Sequence, residues 1–129
     1  MVKRYDIPGV NPTGGRYSHV GEVNKGGQMF HLAGQTAGRP DGNVATDIRG
    51  QAEQVYKNIE GVLKGCGMTF DNIVKTTTYL VNPDDIPGWR EAQNKALGSK
   101  VVPASTLLII SRLARPEYLI EVEVVAAKD

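Results

Sequence analysis

Glu121 and Glu123 stand in the run Leu119-Ile120-Glu121-Val122-Glu123-Val124-Val125-Ala126, whose other members are all apolar. Period-two alternation puts Tyr118, Ile120, Val122, Val124 and Ala126 on one face of a strand, and Leu119, Glu121, Glu123 and Val125 on the other. The second face is mixed. Acids so placed are either solvated or partly buried, and a partly buried carboxylate can take up and release a proton. Spacing alone leaves both readings open.

The other reactive side chains carry weaker patterns. His19 and His31 fall on neighbouring strand segments, yet a metal needs three or four ligands and no third residue is spaced to join them, so no metal is expected. Ser105 lacks the strained Gly-x-Ser-x-Gly turn that activates a serine nucleophile. The glycine-rich stretches Asn11-Pro12-Thr13-Gly14-Gly15 and Gly26-Gly27 lack the lysine of a phosphate-binding loop and read as turns. The single cysteine, Cys66, sits between two glycines at a helix end and reads as a small filler. It also excludes an internal disulfide framework, and with no signal-peptide pattern it points to a reducing cytoplasm.

The 129 residues suit one domain over 1–129 with a core of its own. Fifteen Lys and Arg against 14 Asp and Glu leave a net charge of +1, too little to attract nucleic acid or an acidic membrane. No apolar run approaches the length of a membrane span.

These side chains need a frame. Tyr17–Val23 and Met29–Leu32 read as strands joined at Gly26-Gly27, which predicts an early hairpin. From Asp47 on, Ile48, Ala52, Val55, Ile59, Val62 and Leu63 recur at helical spacing, and Gly65 and Gly67 end that helix. Ile73–Val81 has strand propensity, Asn82-Pro83-Asp84-Asp85 breaks it, and a shorter helix follows from Pro87 to Leu97, packing through Ile86, Trp89, Ala92 and Leu97. Two more strands end the chain. The order ββαβαββ predicts an α+β layer, a sheet with two helices on one face. Leu107-Leu108-Ile109-Ile110 then wants burial on both faces, which two helices cannot supply. A homo-oligomer covering the open face, with Glu121 and Glu123 near its seam, follows.

Taken together, Tyr17-Ser18, Ala33-Gly34-Gln35, Gln51 with Asn58-Ile59, Asp71-Asn72-Ile73-Val74-Lys75, Pro103-Ala104 and Ile120-Glu121-Val122-Glu123 give a chain that resembles the RidA (YjgF) family of reactive-intermediate deaminases along its whole length. The resemblance implies a fold like that of the Bacillus-type chorismate mutase, a homotrimer with sites between subunits, and hydrolysis of a small imine or enamine with release of ammonia. It implies no metal or organic cofactor. By resemblance Glu121 positions water, while Tyr17, Gly34, Ser105 and Leu107 line the substrate site.

The chain departs from the family at its carboxylate clamp. Ser105 stands where the family pattern Pro-Ala-Arg-Ser carries arginine. A hydroxyl does not replace a planar, charged fork, and losing such a buried pair costs about 2–5 kcal/mol. Ala33 and Leu107 replace a serine and a cysteine often found in the family, which makes the site less polar. Arg90, Arg16 and Arg112 are the candidates to restore positive charge, against a plain reading of Arg90 as a solvated helix-face arginine. The leading expectation is a deaminase of altered substrate range. The alternatives are a non-catalytic metabolite-binding or regulatory trimer and, third, a ribonuclease, which the near-neutral charge disfavours.

Overall fold

The computed structural model describes residues 1–129. The strands are β1 (Val2–Tyr5), β2 (Val20–Val23), β3 (Gln28–His31), β4 (Ile73–Leu80), β5 (Ala104–Ile109) and β6 (Ile120–Lys128), and the helices are α1 (Ile48–Gly65) and α2 (Ile86–Leu97). Four strands form a mixed sheet in the order β3-β6-β4-β5, with β4 and β5 parallel and the other pairs antiparallel. A parallel pair needs a crossover, and α2 supplies it. The α+β layer with two helices on one face of a mixed sheet is as the patterning predicts.

The early hairpin is not. β2 pairs with β1, a strand the sequence reading leaves out, and β3 pairs with β6. β2 also starts at Val20, because the preceding residues are engaged elsewhere: the Ser18 amide donates to the Pro103 carbonyl at 3.1 Å and its hydroxyl to the Val102 carbonyl at 2.6 Å. The His19 ring accepts from the Ile7 amide at Nδ1 (3.1 Å) and so donates from Nε2 to the Asn11 carbonyl (2.9 Å). That fixes its tautomer and makes it a loop brace. No cluster of His, Cys, Asp or Glu is arranged to hold a metal ion.

Alternation along β6 works as read. Ile120, Val122, Val124 and Ala126 are buried against the helices, beside Ala52, Val55, Ile59 and Leu63 of α1. Each buried Ile or Leu contributes about 1.5–3 kcal/mol of apolar transfer. Val62 departs from the expected stripe at 37% exposure. α1 ends in a Schellman turn: Gly67 takes φ +75°, its amide donates to the Lys64 carbonyl, and the Met68 amide donates to Leu63. The two helices are joined at Trp89, whose Nε1 donates to the Tyr56 hydroxyl at 2.9 Å.

The other sheet face has no such cover. Leu108, Ile109 and Met29 are each more than 40% exposed. Of these Leu108, in register with Tyr79, and Met29, next to inward Phe30, point away from the helices. Exposed apolar side chains gathered on one sheet face are what a partner surface looks like.

Candidate functional site

Glu121 faces outward from β6, in register with Tyr79 of β4, and Glu123 is in register with Thr77. A concavity of about 330 Å³ opens here, lined by Gly34, Tyr79, Ile110, Leu113, Glu121 and Glu123. The Tyr79 hydroxyl donates to Glu123 Oε1 at 2.8 Å, and this bond raises the Tyr79 pKa. Glu121 makes no such bond to a protein side chain. The two acids thus have different environments: one is tied to a phenol, the other is half-buried and points at a loop.

That loop is Leu32–Gly38. It runs beside β6 with the Leu32 amide on the Val124 carbonyl (3.0 Å) and the Gln35 amide on the Val122 carbonyl (2.8 Å). Between them, the Gly34 amide makes no backbone hydrogen bond. Gly34 leaves room for this carboxylate: a Cβ there would collide with Glu121 Oε2 and lie 2.9 Å from its carboxyl carbon, so the Glu121 side chain would have to move. The Glu121 carboxylate therefore rests against bare backbone.

Two amide side chains of α1 hold both halves of this arrangement. Gln51 is fully buried; its Nε2 donates to the Ala45 and Glu117 carbonyls and its Oε1 accepts the Leu119 amide, all at 2.8 Å. This clamps the chain as it enters β6, two residues before Glu121. Asn58 Nδ2 donates to the Thr36 and Gly38 carbonyls at 3.1 and 2.9 Å, clamping the loop that carries Gly34. Side-chain amides serve well here because each offers two donors and an acceptor to backbone that the sheet leaves unpaired.

The remaining candidates gather elsewhere. Tyr17, Arg90, Ser105 and Leu107 line a second cleft of about 310 Å³, together with Arg16 and Trp89. Ser105 and Leu107 are in register with Thr76 and Thr78, the inward side chains of β4, so this cleft opens on the helix side of the sheet. Tyr17 arrives through the bridge between Ser18 and Ala104. The Arg90 guanidinium lies 5.3 Å from the Trp89 ring centre. Burial, and then the nearby charge of Arg16, lowers the Arg90 pKa. Arg112 is not part of either cleft: its guanidinium donates to the Leu113 and Ala114 carbonyls at 3.0 and 3.2 Å.

Within one protomer, then, Glu121 and Gly34 are together, Tyr17, Ser105, Leu107 and Arg90 are together, and the two groups lie on opposite faces of the sheet. The sequence reading does not single out Tyr79 or Leu113 as part of the acidic concavity. Tyr79 carries a signal in its alternate position on β4, but only the β4–β6 register puts it beside the glutamates. Leu113 carries none, since it sits in an irregular segment.

Comparison with known proteins agrees with this architecture. The family model described as Endoribonuclease L-PSP matches residues 10–128. A RutC family protein of Pyrococcus horikoshii is 32% identical over 107 residues, which span 81% of this chain and 83% of the relative. A Lactococcus lactis protein whose name suggests a regulator, AldR, is 34% identical over 100 residues, 76% of this chain and 78% of that one. The solved structure of a conserved Rid family protein from Yersinia pestis superposes with a TM-score of 0.87 at 28% identity, covering 98% of both chains. The strand order, the clamps from α1 and the match along nearly the whole length lead to one assignment: the chain belongs to the Endoribonuclease L-PSP family, the family of the YjgF, RidA and RutC proteins.

Proposed function

We propose that this chain is a hydrolytic deaminase of a small imine or enamine, working as a homotrimer whose sites form where one protomer's acidic concavity meets its neighbour's second cleft. The observation that carries the reading is the Glu121 carboxylate set against the backbone of Gly34, a contact that a Cβ at that position would displace. A carboxylate beside an uncommitted amide can accept a proton from water while the amide holds the oxygen. Water then adds across the C=N bond: its oxygen bonds to carbon, the π pair goes to nitrogen, and Glu121 returns the proton there. Collapse of the resulting carbinolamine re-forms a carbonyl and expels ammonia. An enamine enters the same path after taking a proton on carbon. The reaction balances with water alone and calls for no metal or redox cofactor.

The exposed Leu108, Ile109 and Met29 support self-association. Tyr17, Ser105, Leu107 and Arg90 are read as substrate-binding groups, brought to Glu121 across a subunit boundary. With net charge +1 and no basic groove evident in the sequence, the ribonuclease in the family's description is the weaker reading. A binding or regulatory role is the stronger rival, because Ser105 replaces the family's carboxylate clamp and one relative bears a regulator's name. No helix is long and apolar enough to cross a membrane.

Ammonia release from enzymatically generated imines tests the reading, comparing wild type with Glu121→Ala and Ser105→Arg. Wild-type turnover that Glu121→Ala reduces by about 10²–10⁴ supports it. Turnover only in Ser105→Arg, or in no variant, hands the role to a binding protein. Sedimentation of Leu108→Asp checks the assembly: a stable monomer is expected, and a wild type that is already monomeric sinks the shared site.

A further inference from the structure

The second cleft carries a charge arrangement that the family resemblance does not supply. Arg16 and Arg90 both line it, and no lining residue is acidic. Neither guanidinium enters any of the chain's four ion pairs, Lys3–Glu22, Arg49–Glu91, Lys95–Glu53 and Arg115–Glu117. Neither donates to a carbonyl as Arg112 does. Burial and, after it, the nearby charge of Arg16 make the Arg90 cation harder to keep. Two like charges facing one concavity repel unless an anion lies between them.

Arg90 is positioned by packing, and Arg16, itself exposed, by the bracing of its loop. Arg90 is half-buried on α2 and stacked near Trp89, itself only 3% exposed and anchored to Tyr56. Arg16 stands on a loop braced from both sides. Thr13, 6% exposed, donates to Asp6 Oδ2 at 2.9 Å; the His19 amide donates to Asp6 Oδ1 at 3.1 Å; and the Arg16 amide donates to the Thr13 carbonyl at 3.3 Å. The hydroxyls of Tyr17 and Ser105 add neutral donors to the same cleft.

We infer that this cleft is a binding site for a doubly charged oxyanion, either a short dicarboxylate or a phosphate monoester, gripped by Arg16 and Arg90 in place of the single arginine that Ser105 displaces. Each planar fork donates to one carboxylate, or to two phosphate oxygens, in a bidentate pair. A volume of about 310 Å³ admits a ligand of that size. Resting on the deaminase reading, the substrate class becomes an imine that bears two negative charges, such as that of an acidic amino acid. The anion site itself does not depend on turnover.

Calorimetric titration at low ionic strength, with thermal melts, tests it on the whole chain. The probes are succinate, inorganic phosphate, butyrate as the single-charge control and succinamide as the neutral one. The proposal expects succinate or phosphate to bind and raise the melting temperature, with butyrate at least about tenfold weaker and succinamide silent. Succinate alone identifies a dicarboxylate site, and phosphate alone a phosphate-ester site. Arg16→Met and Arg90→Met each weaken binding by about tenfold or more, Arg90→Lys recovers part of it, and Arg112→Met leaves it unchanged. No dianion binding in wild type, equal binding of butyrate, or binding that survives both methionine substitutions overturns the site. Dianion binding without ammonia release from any imine supports the site and removes only the deaminase reading.

Discussion

The concavity at Glu121 and the cleft at Arg90 are opposites that share one sheet. The first opens on the bare face, carries two carboxylates and is lined by backbone at Gly34. The second opens on the helix side, carries two guanidiniums and no acid. Each is held by different means. Side-chain amides of α1 clamp the acidic site through Gln51 and Asn58, while an exposed carboxylate, Asp6, and the His19 ring brace the loop of the cationic one. Carboxylates and guanidiniums are thereby kept apart within a protomer.

Substitutions that strike one site and spare the other sharpen this contrast. Gln51→Leu has the largest expected effect: it strands the half-buried Leu119 amide and loses three hydrogen bonds, lowering stability by about 2–4 kcal/mol in urea unfolding. Anion binding by its folded fraction is expected to persist, because no part of the second cleft leans on Gln51. Gly34→Ala comes next. The added Cβ displaces the flexible Glu121 side chain rather than the fold, so turnover falls about tenfold or more, equivalent to about 1.4 kcal/mol, with the melting temperature near wild type. An unaltered rate would mean that Glu121 and Gly34 do not act together.

Thr76 and Thr78 lie on the inward face of β4 with buried hydroxyls that find no partner. Thr78→Val removes one such orphan and is expected to raise stability by about 1 kcal/mol, read from denaturant midpoints. A loss of that size instead would show the hydroxyl to be bonded. The smallest effect concerns Asp6. Its bonds from Thr13 and from the His19 amide hold its pKa below the usual carboxylate range. The stabilisation this carries is present above the unfolded value and disappears as pH falls through the lower folded one. The His19 amide resonance is expected to shift in that acid window in wild type and to stay flat in Asp6→Asn. A flat wild-type profile would break the brace on the cationic side.

Much of this was legible in the residues, and for traceable reasons. α1 and β6 announce themselves because burial on one side imposes a period, and Glu121 was conspicuous as a charge where that period demanded nothing polar. The early hairpin misled because Gly26-Gly27 between two short strands fits a local turn, whereas both partners, β1 and β6, lie far from that turn in sequence or have weak patterns. Val62 fitted the stripe but lies exposed. Arg16 could be named as a possible cation, yet nothing in its neighbours pointed to Arg90.

Residue order by itself determined which side chains alternate, where helices stop, and that a serine follows Pro103-Ala104, because these depend on local geometry and chemical type. Only the tertiary structure decided that the glutamate meets a glycine backbone on one face while two arginines converge on the other. Those encounters depend on strand register and on loops tied down by distant amides and carboxylates, contacts between residues that local periodicity does not connect.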